Sequence, residues 1–357
     1  MATNYFSEEM VFLILSHLPV ISLLRFKSVC KTWLSIITSP QFVEAHLANS
    51  RNKQASVLKA SYYWRVFSMD TVEESVELKL PSRLEGMVYY MRSCNGLVCL
   101  SNESSYDICI WNPCTRQYKM LYAPNYEINQ VGVCLGFGFD SVGNDYKILR
   151  IVTKVVRNTW GSIINMGNFS EAQLYSANAD TWKMIRTPDT IKMSFWHKLK
   201  RFCGPDISGK LYMEGEGELL PFDLRNDLFG EIVVLPFPDY VEQKRIKKSK
   251  ILDFEGSVAM VYESAGDESV MSLWMLDDDG LWIKKFNLEM DLELDRTYLY
   301  LGAQHFLGLN FVFGYKFYNY TKKTTKKLPF PAHLTDVKSV AKFTQSLVSL
   351  EGFQSQE

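Results

Sequence analysis

The chain has 357 residues and a formal net charge of −1. With 47% apolar and 22% charged residues it is neither disordered nor collagen-like, and 7 Cys are too few for a disulfide scaffold. Near-neutral charge argues against bulk nucleic-acid binding, and 14% aromatic residues favour β structure.

The N-terminus, Met1 to Glu9, has no basic region of the kind that opens a secretion signal. The most apolar early run, Met10 to Leu15, is far shorter than the roughly 20 residues that span a bilayer. An odd number of cysteines without a leader reads as reduced thiols. The expectation is therefore an intracellular protein of cytoplasm or nucleus that contacts no membrane.

Residues 1–50 hold six charges (Glu8, Glu9, Arg25, Lys27, Lys31, Glu44), or 12% against 22% for the chain. Ser7 before Glu8 and Glu9 suits a helix start, and Met10, Leu13, Ile14 and Leu18 recur at helical spacing. Pro19 ends that helix, since the residue before proline avoids the α region. The spacing predicts a second helix over Leu23 to Lys31, capped by Ser22, with Cys30 buried in its middle. Trp33-Leu34-Ser35-Ile36-Ile37 continues the apolar run. A third helix opens at Ser39-Pro40, with Phe42, Val43 and Leu47 facing inward. Three short helices cannot bury so many apolar side chains among themselves, so the surplus should meet a partner or the rest of the chain.

The run Ile14-Leu15-Ser16-His17-Leu18-Pro19-Val20-Ile21-Ser22-Leu23-Leu24-Arg25-Phe26-Lys27-Ser28-Val29-Cys30-Lys31-Thr32-Trp33 resembles an F-box of the plant type. The likeness extends from about Phe6 to Leu47. It departs at Phe6-Ser7, where the family usually has Leu-Pro, and at Leu13, where it often has an acid. The resemblance implies docking onto a Skp-family linker and, through it, a cullin–RING ubiquitin ligase. The positions it implicates are Ile14, Leu15, Leu18, Pro19, Leu23, Leu24, Phe26, Val29, Cys30 and Trp33.

From Ser56 onward, strand-like runs alternate with Gly, Asn, Asp and Pro. A loose pattern recurs: an aromatic strand, a polar turn, then a strand with Lys or Trp. Its anchors are Phe67, Trp111, Tyr175, Phe222, Trp274 and Phe317, at intervals of 43 to 64 residues. A four-stranded propeller blade takes about 40 to 50 residues, so six blades are expected, with paired β-sandwiches as the alternative. The longest interval holds residues 158–170, read as an insertion on a loop face. Phe343 to Leu350 alternates like a strand and should pair beside Val57 to Trp64.

Ser93-Cys94-Asn95-Gly96-Leu97-Val98, Trp111-Asn112-Pro113-Cys114-Thr115-Arg116, and Gly136-Phe137-Gly138-Phe139-Asp140 with Asp145-Tyr146-Lys147 resemble the plant F-box-associated domain, kelch-related in the broad sense. In that family this domain captures the substrate. Paired kelch glycines are absent.

No constellation for catalysis emerges. The five histidines, His17, His46, His197, His305 and His333, show no metal-ligand spacing. Cys94, Cys99, Cys109 and Cys114 admit a zinc reading, but Cys99 and Cys109 alternate with apolar residues as buried strand cysteines do. Gly136-Phe137-Gly138 lacks the third glycine of a nucleotide loop and reads as relief of a bulge. Lys244 to Lys250 reads as a solvated basic loop, Lys322 to Lys327 as a hairpin tip, and Asp277-Asp278-Asp279 as a solvated turn.

The expected fold is a small all-α N-terminal F-box of three helices (1–50) plus an all-β domain (51–357), a six-bladed, kelch-like β-propeller. The expected function is a non-catalytic substrate adaptor of an SCF-type (Skp–cullin–F-box) E3 ubiquitin ligase, without cofactor or metal, whose 51–357 region binds a target protein. A propeller-type hydrolase and a ligase-independent binding module are the alternatives.

Overall fold

A computed structural model of the chain describes residues 6–51, 55–60, 64–68, 75–80, 88–102, 107–122, 133–157, 163–191, 195–196, 203–204, 206–215, 217–236, 246–264, 271–288, 298–302, 305–310, 314–327 and 337–355. The chain divides into two compact units, Met1–Tyr122 with Asp336–Glu357, and Ala123–Thr335.

In the first unit four helices form: α1 (Glu8–Ser16), α2 (Val20–Phe26), α3 (Lys31–Thr38) and α4 (Pro40–Arg51). Ser7 caps α1 by accepting from the Met10 N–H, and Glu8 and Glu9 occupy the positive end of the helix. The expected count of three helices is corrected to four, because the stretch from Leu23 to Ile37 breaks in its middle. Helix α2 begins at Val20 behind Pro19 and stops at Phe26. Cys30 is extended (φ −160°, ψ 165°), and its sulfur accepts from the Trp33 N–H at 3.4 Å. The break turns Trp33 back onto Phe26, edge to face with centroids 5.1 Å apart. Cys30 is thus an exposed cap and not the buried mid-helix thiol expected.

The helical core consists of Leu15, Val20, Leu23, Ile37, Phe42 and, from far along the chain, Leu347. Phe12 meets Phe42 edge-on at 5.2 Å. The buried His46 donates from Nε2 to the Leu18 carbonyl at 2.9 Å, tying α4 to the end of α1.

The same unit holds two antiparallel sheets. The first runs Val337–Phe343, Ala55–Ala60, Trp64–Ser68, Ser75–Leu78. The second runs Gln354–Ser355, Gln117–Leu121, Ile108–Asn112, Leu97–Asn102, Val88–Cys94. They share a core in which Trp64 meets Trp111 edge-on at 5.9 Å, beside Phe343 and Val98. The expected pairing of a late strand with the first β segment is present, but the strand is Val337–Phe343, with Phe343 opposite Ala55. Residues 344–350 form no ladder: the alternation there buries Ser346 and Leu347 against other partners.

In the second unit four further antiparallel sheets form among the described residues, all but the fourth a simple meander. The third sheet comprises Val133–Asp140, Asp145–Arg157, Ile163–Ser176 and Thr181–Ile185. The fourth is built on Lys210–Glu214 and Glu218–Asp223, with the short strands Leu228–Phe229 and Val233–Val234 on the latter. The fifth is Ile246–Phe254, Ser257–Ser264, Met271–Leu276 and Trp282–Leu288. The sixth is Tyr298–Gly302, His305–Asn310, Gly314–Asn319 and Thr324–Lys327. First strands adjoin, Val133–Asp140 beside Lys210–Glu214 and Ile246–Phe254 beside Tyr298–Gly302.

Three expectations are corrected here. Residues 163–170 are not a loop, because they lengthen a hairpin with Asp145–Arg157, while 158–162 lie outside the described residues. The basic run from Ile246 to Lys250 is strand, with Lys248 opposite Glu263, and Lys244 and Arg245 lie outside the described residues. Gly136 and Gly138 sit in unbroken register rather than at a bulge. They admit Leu211 and Leu224, whose methyls would stand 2.7 and 2.5 Å from an added Cβ.

Candidate functional site

The implicated F-box residues separate into three environments. Leu15 and Leu23 are buried in the helical core, where they hold α1 and α2 together. Leu18, Leu24, Phe26 and Trp33 are half-buried and pack on that core from outside. Ile14, Pro19, Val29 and Cys30 are exposed, Ile14 by 54% and Val29 by 59%.

Five more large apolar side chains stand exposed in the same segment: Phe6, Met10, Leu13, Ile21 and Leu34. Seven of the fourteen most exposed large apolar side chains among the described residues thus fall between Phe6 and Leu34. Helix α1 is apolar on two faces. Val11, Phe12 and Leu15 turn inward, while Met10, Leu13 and Ile14 turn to solvent. The sequence pattern merged these stripes, though the rhythm of Met10, Leu13 and Ile14 is the signal for the outer one. The cations Arg25 and Lys31 are exposed alongside, and burial pulls the Lys27 ammonium below its ordinary pKa.

The paired cysteines do not converge. Cys109 faces the Trp64–Trp111 core, whereas Cys99, opposite Ile110 on the neighbouring strand, points to the other side of the sheet. Cys114 packs on the helical core. Burial pushes the Cys109 and Cys114 thiols up to about 12 and raises Cys99 well above its usual value, so all three stay protonated. Among the described residues no group of three His, Cys, Asp or Glu side chains is placed to hold a metal ion. Nor is any described helix long and apolar enough to cross a membrane.

In the second unit the Asp140–Lys147 motif folds into a polar clasp. Lys147 Nζ reaches Asp227 at 2.8 Å, Asp140 at 3.3 Å and the Leu224 carbonyl at 2.5 Å. Lys183 adds a second bond to Asp227 at 2.6 Å. Asp140 accepts from the Val142 and Gly143 N–H groups at 3.0 Å, which closes its own turn. The lysine bonds oxygens from both its own hairpin and that of Asp227, so the arrangement ties two hairpins together.

Comparison with known proteins agrees with this layout. An F-box domain matches residues 6–44, and an F-box associated beta propeller domain matches residues 47–302. A putative F-box protein of Arabidopsis thaliana is 27% identical over 299 residues, covering 76% of this chain and 74% of the relative. The F-box/WD-40 repeat-containing protein 1 of the same plant is 26% identical over 292 residues, covering 77% and 67%. Among solved structures, an oligogalacturonate lyase in complex with manganese aligns at 8% identity with a TM-score of 0.42, over 74% of this chain and 70% of that one, too distant to bear on fold or chemistry. The chain belongs to the F-box proteins that carry an F-box associated beta propeller domain, and its relatives make it a plant F-box protein.

Proposed function

We propose that this chain is the substrate-recognition subunit of an SCF-type E3 ubiquitin ligase. Residues 1–50 dock on a Skp-family linker, and residues 51–357 hold a target protein. The observation that carries this reading is the outer apolar face of the helices, Met10, Leu13, Ile14, Ile21, Val29 and Leu34, exposed on a module whose own core is complete without it. The chain contributes position, not chemistry. It raises the effective concentration of target lysines near a ubiquitin-loaded partner. Cytoplasm and nucleus are the compartments that suit this role.

The β region is, on this reading, a closed six-bladed propeller. Support comes from its meander sheets, from adjoining first strands, and from the strand Val337–Phe343, which completes a sheet begun at Ala55.

The test is a binding measurement between the purified chain and a Skp-family linker. Ile14→Asp with Val29→Asp should abolish binding while the helical circular dichroism stays unchanged, because both side chains are exposed. A wild-type chain that binds no such linker overturns the reading. The same double variant, kept full-length and uncoupled from the ligase, is the bait for capturing the target.

A further inference from the structure

The adaptor reading leaves two motifs of the β region without a role, Ser93 to Val98 and Trp111 to Arg116. Both are hairpin tips of the second sheet. Asn95 and Gly96 turn at positive φ (45° and 79°) between Val88–Cys94 and Leu97–Asn102. Residues 113–116 turn between Ile108–Asn112 and Gln117–Leu121.

Asn112 uses its whole side chain. Oδ1 accepts from the Cys114 N–H at 2.9 Å and the Thr115 N–H at 3.3 Å, closing its own turn. Nδ2 donates to the Val348 carbonyl at 2.8 Å and the Ser346 carbonyl at 3.1 Å. Those carbonyls lie outside any ladder, and without a donor their burial would be costly. The Ser346 hydroxyl, fully buried, donates to the Gly96 carbonyl at 3.3 Å. A Cβ at position 96 would collide with that hydroxyl and stand 3.0 Å from the Thr344 carbonyl oxygen, so the approach requires glycine. Further on, Lys119 donates to the Glu351 carbonyl at 2.8 Å, and Gln354–Ser355 adds a strand to Gln117 and Tyr118.

The helices meet the same place. Leu347 is buried in their core, Cys114 packs on it, and Arg51 at the end of α4 donates to Asn95 Oδ1 at 3.0 Å.

We propose that the two hairpin tips form a receptor for residues 344–355 of this chain, and that the docked segment fixes the helices on the second sheet. The ligand is an extended peptide in which a buried serine precedes an aliphatic residue. Strand pairing through Phe343 already brings Ser346 to within three residues of its site. The segment therefore docks at high effective concentration, with little loop entropy left to lose. If the adaptor reading holds, this segment sets the angle at which the linker-docking face stands on the second sheet.

The test is amide hydrogen exchange on the full-length chain, comparing wild type with Asn112→Ala and Leu347→Ser. In both variants the amides of 346–355 and of α4 should lose protection together, by at least about tenfold. Those of Leu211–Met213 should keep theirs. Loss confined to 346–355 overturns the coupling, and no loss overturns the receptor. Should Asn112→Ala also open Ile108–Asn112, Leu347→Ser decides, since it leaves the turn intact. Linker binding is read on the same samples. A wild type that fails to bind linker sinks the adaptor reading and leaves the exchange result standing.

Discussion

Lys147 Nζ lies 2.8 Å from Asp227 Oδ1, joining the second strand of the third sheet to a hairpin tip of the fourth across 80 positions of chain. Burial opposes the charge on Lys147, but bonds to Asp227 and then Asp140 more than offset it and raise its pKa. Burial likewise opposes the charge on Asp140, yet the Gly143 and Val142 amides and Lys147 outweigh it and hold the carboxyl below its ordinary range.

Both signs follow. The contribution of Asp140 is present above its unfolded value of 3.8 and is lost as pH falls through its lower folded value. That of Lys147 is present below 10.5 and is lost as pH rises through its raised folded value. The difference in Tm between wild type and Lys147→Met, recorded against pH, should be flat between these limits. Lys147→Met leaves Asp140 without its ion partner and Asp227 with Lys183 alone, and should destabilise by about 3 kcal/mol, lowering Tm by roughly 5–10 °C. An unchanged Tm would show that the clasp adds nothing.

The helical module should separate stability from binding. Leu23, buried among Leu15, Ile37 and Phe42, should cost about 2–5 kcal/mol when changed to alanine and take linker binding with it. Ile21→Asp, on the exposed face, should weaken linker binding with a stability change within about 0.5 kcal/mol. Chemical denaturation and linker titration on both variants distinguish the two roles.

Gly136 should tolerate no side chain while Leu211 is in place. An added Cβ would stand 2.7 Å from Leu211 Cδ1 and 2.9 Å from Cys203 Sγ. Gly136→Ala should cost about 1–3 kcal/mol, and combining it with Leu211→Ala should be less than additive. A double-mutant cycle in urea measures the coupling.

The thiols should react in an order set by exposure and by how far burial raises each thiol. Cys30 is exposed and should label first at pH 8, with half-buried Cys94 following. Cys109 and Cys114, pushed up to about 12 by burial, and Cys99, Cys134 and Cys203 should label only on unfolding. Mass spectrometry after a maleimide pulse identifies each site.

Much of the architecture is legible before any folding. Phe67, Trp111, Tyr175, Phe222, Trp274 and Phe317 fall in six different sheets, and all but Phe222 lie on the third strand counted from the sheet's first. The pattern marks hairpins, because an aromatic strand, a polar turn and a Lys- or Trp-bearing edge strand are local features. Lys183 and Lys284 sit on such edge strands, and Lys119 on a strand that only Gln354–Ser355 flanks.

What the sequence by itself determined was the kind of each piece: apolar helices first, β meanders after, and an F-box motif placed to its residues. Tertiary structure decided which way those residues face. Helical spacing could not separate the inner stripe of α1 from its outer one, since both are apolar and only packing against Phe42 picks a side. Nor could it show that Asn112 and Gly96 serve a peptide more than 230 positions away. Periodicity records what a residue does within its own element, whereas a hydrogen bond across the whole chain exists only once the chain has closed on itself.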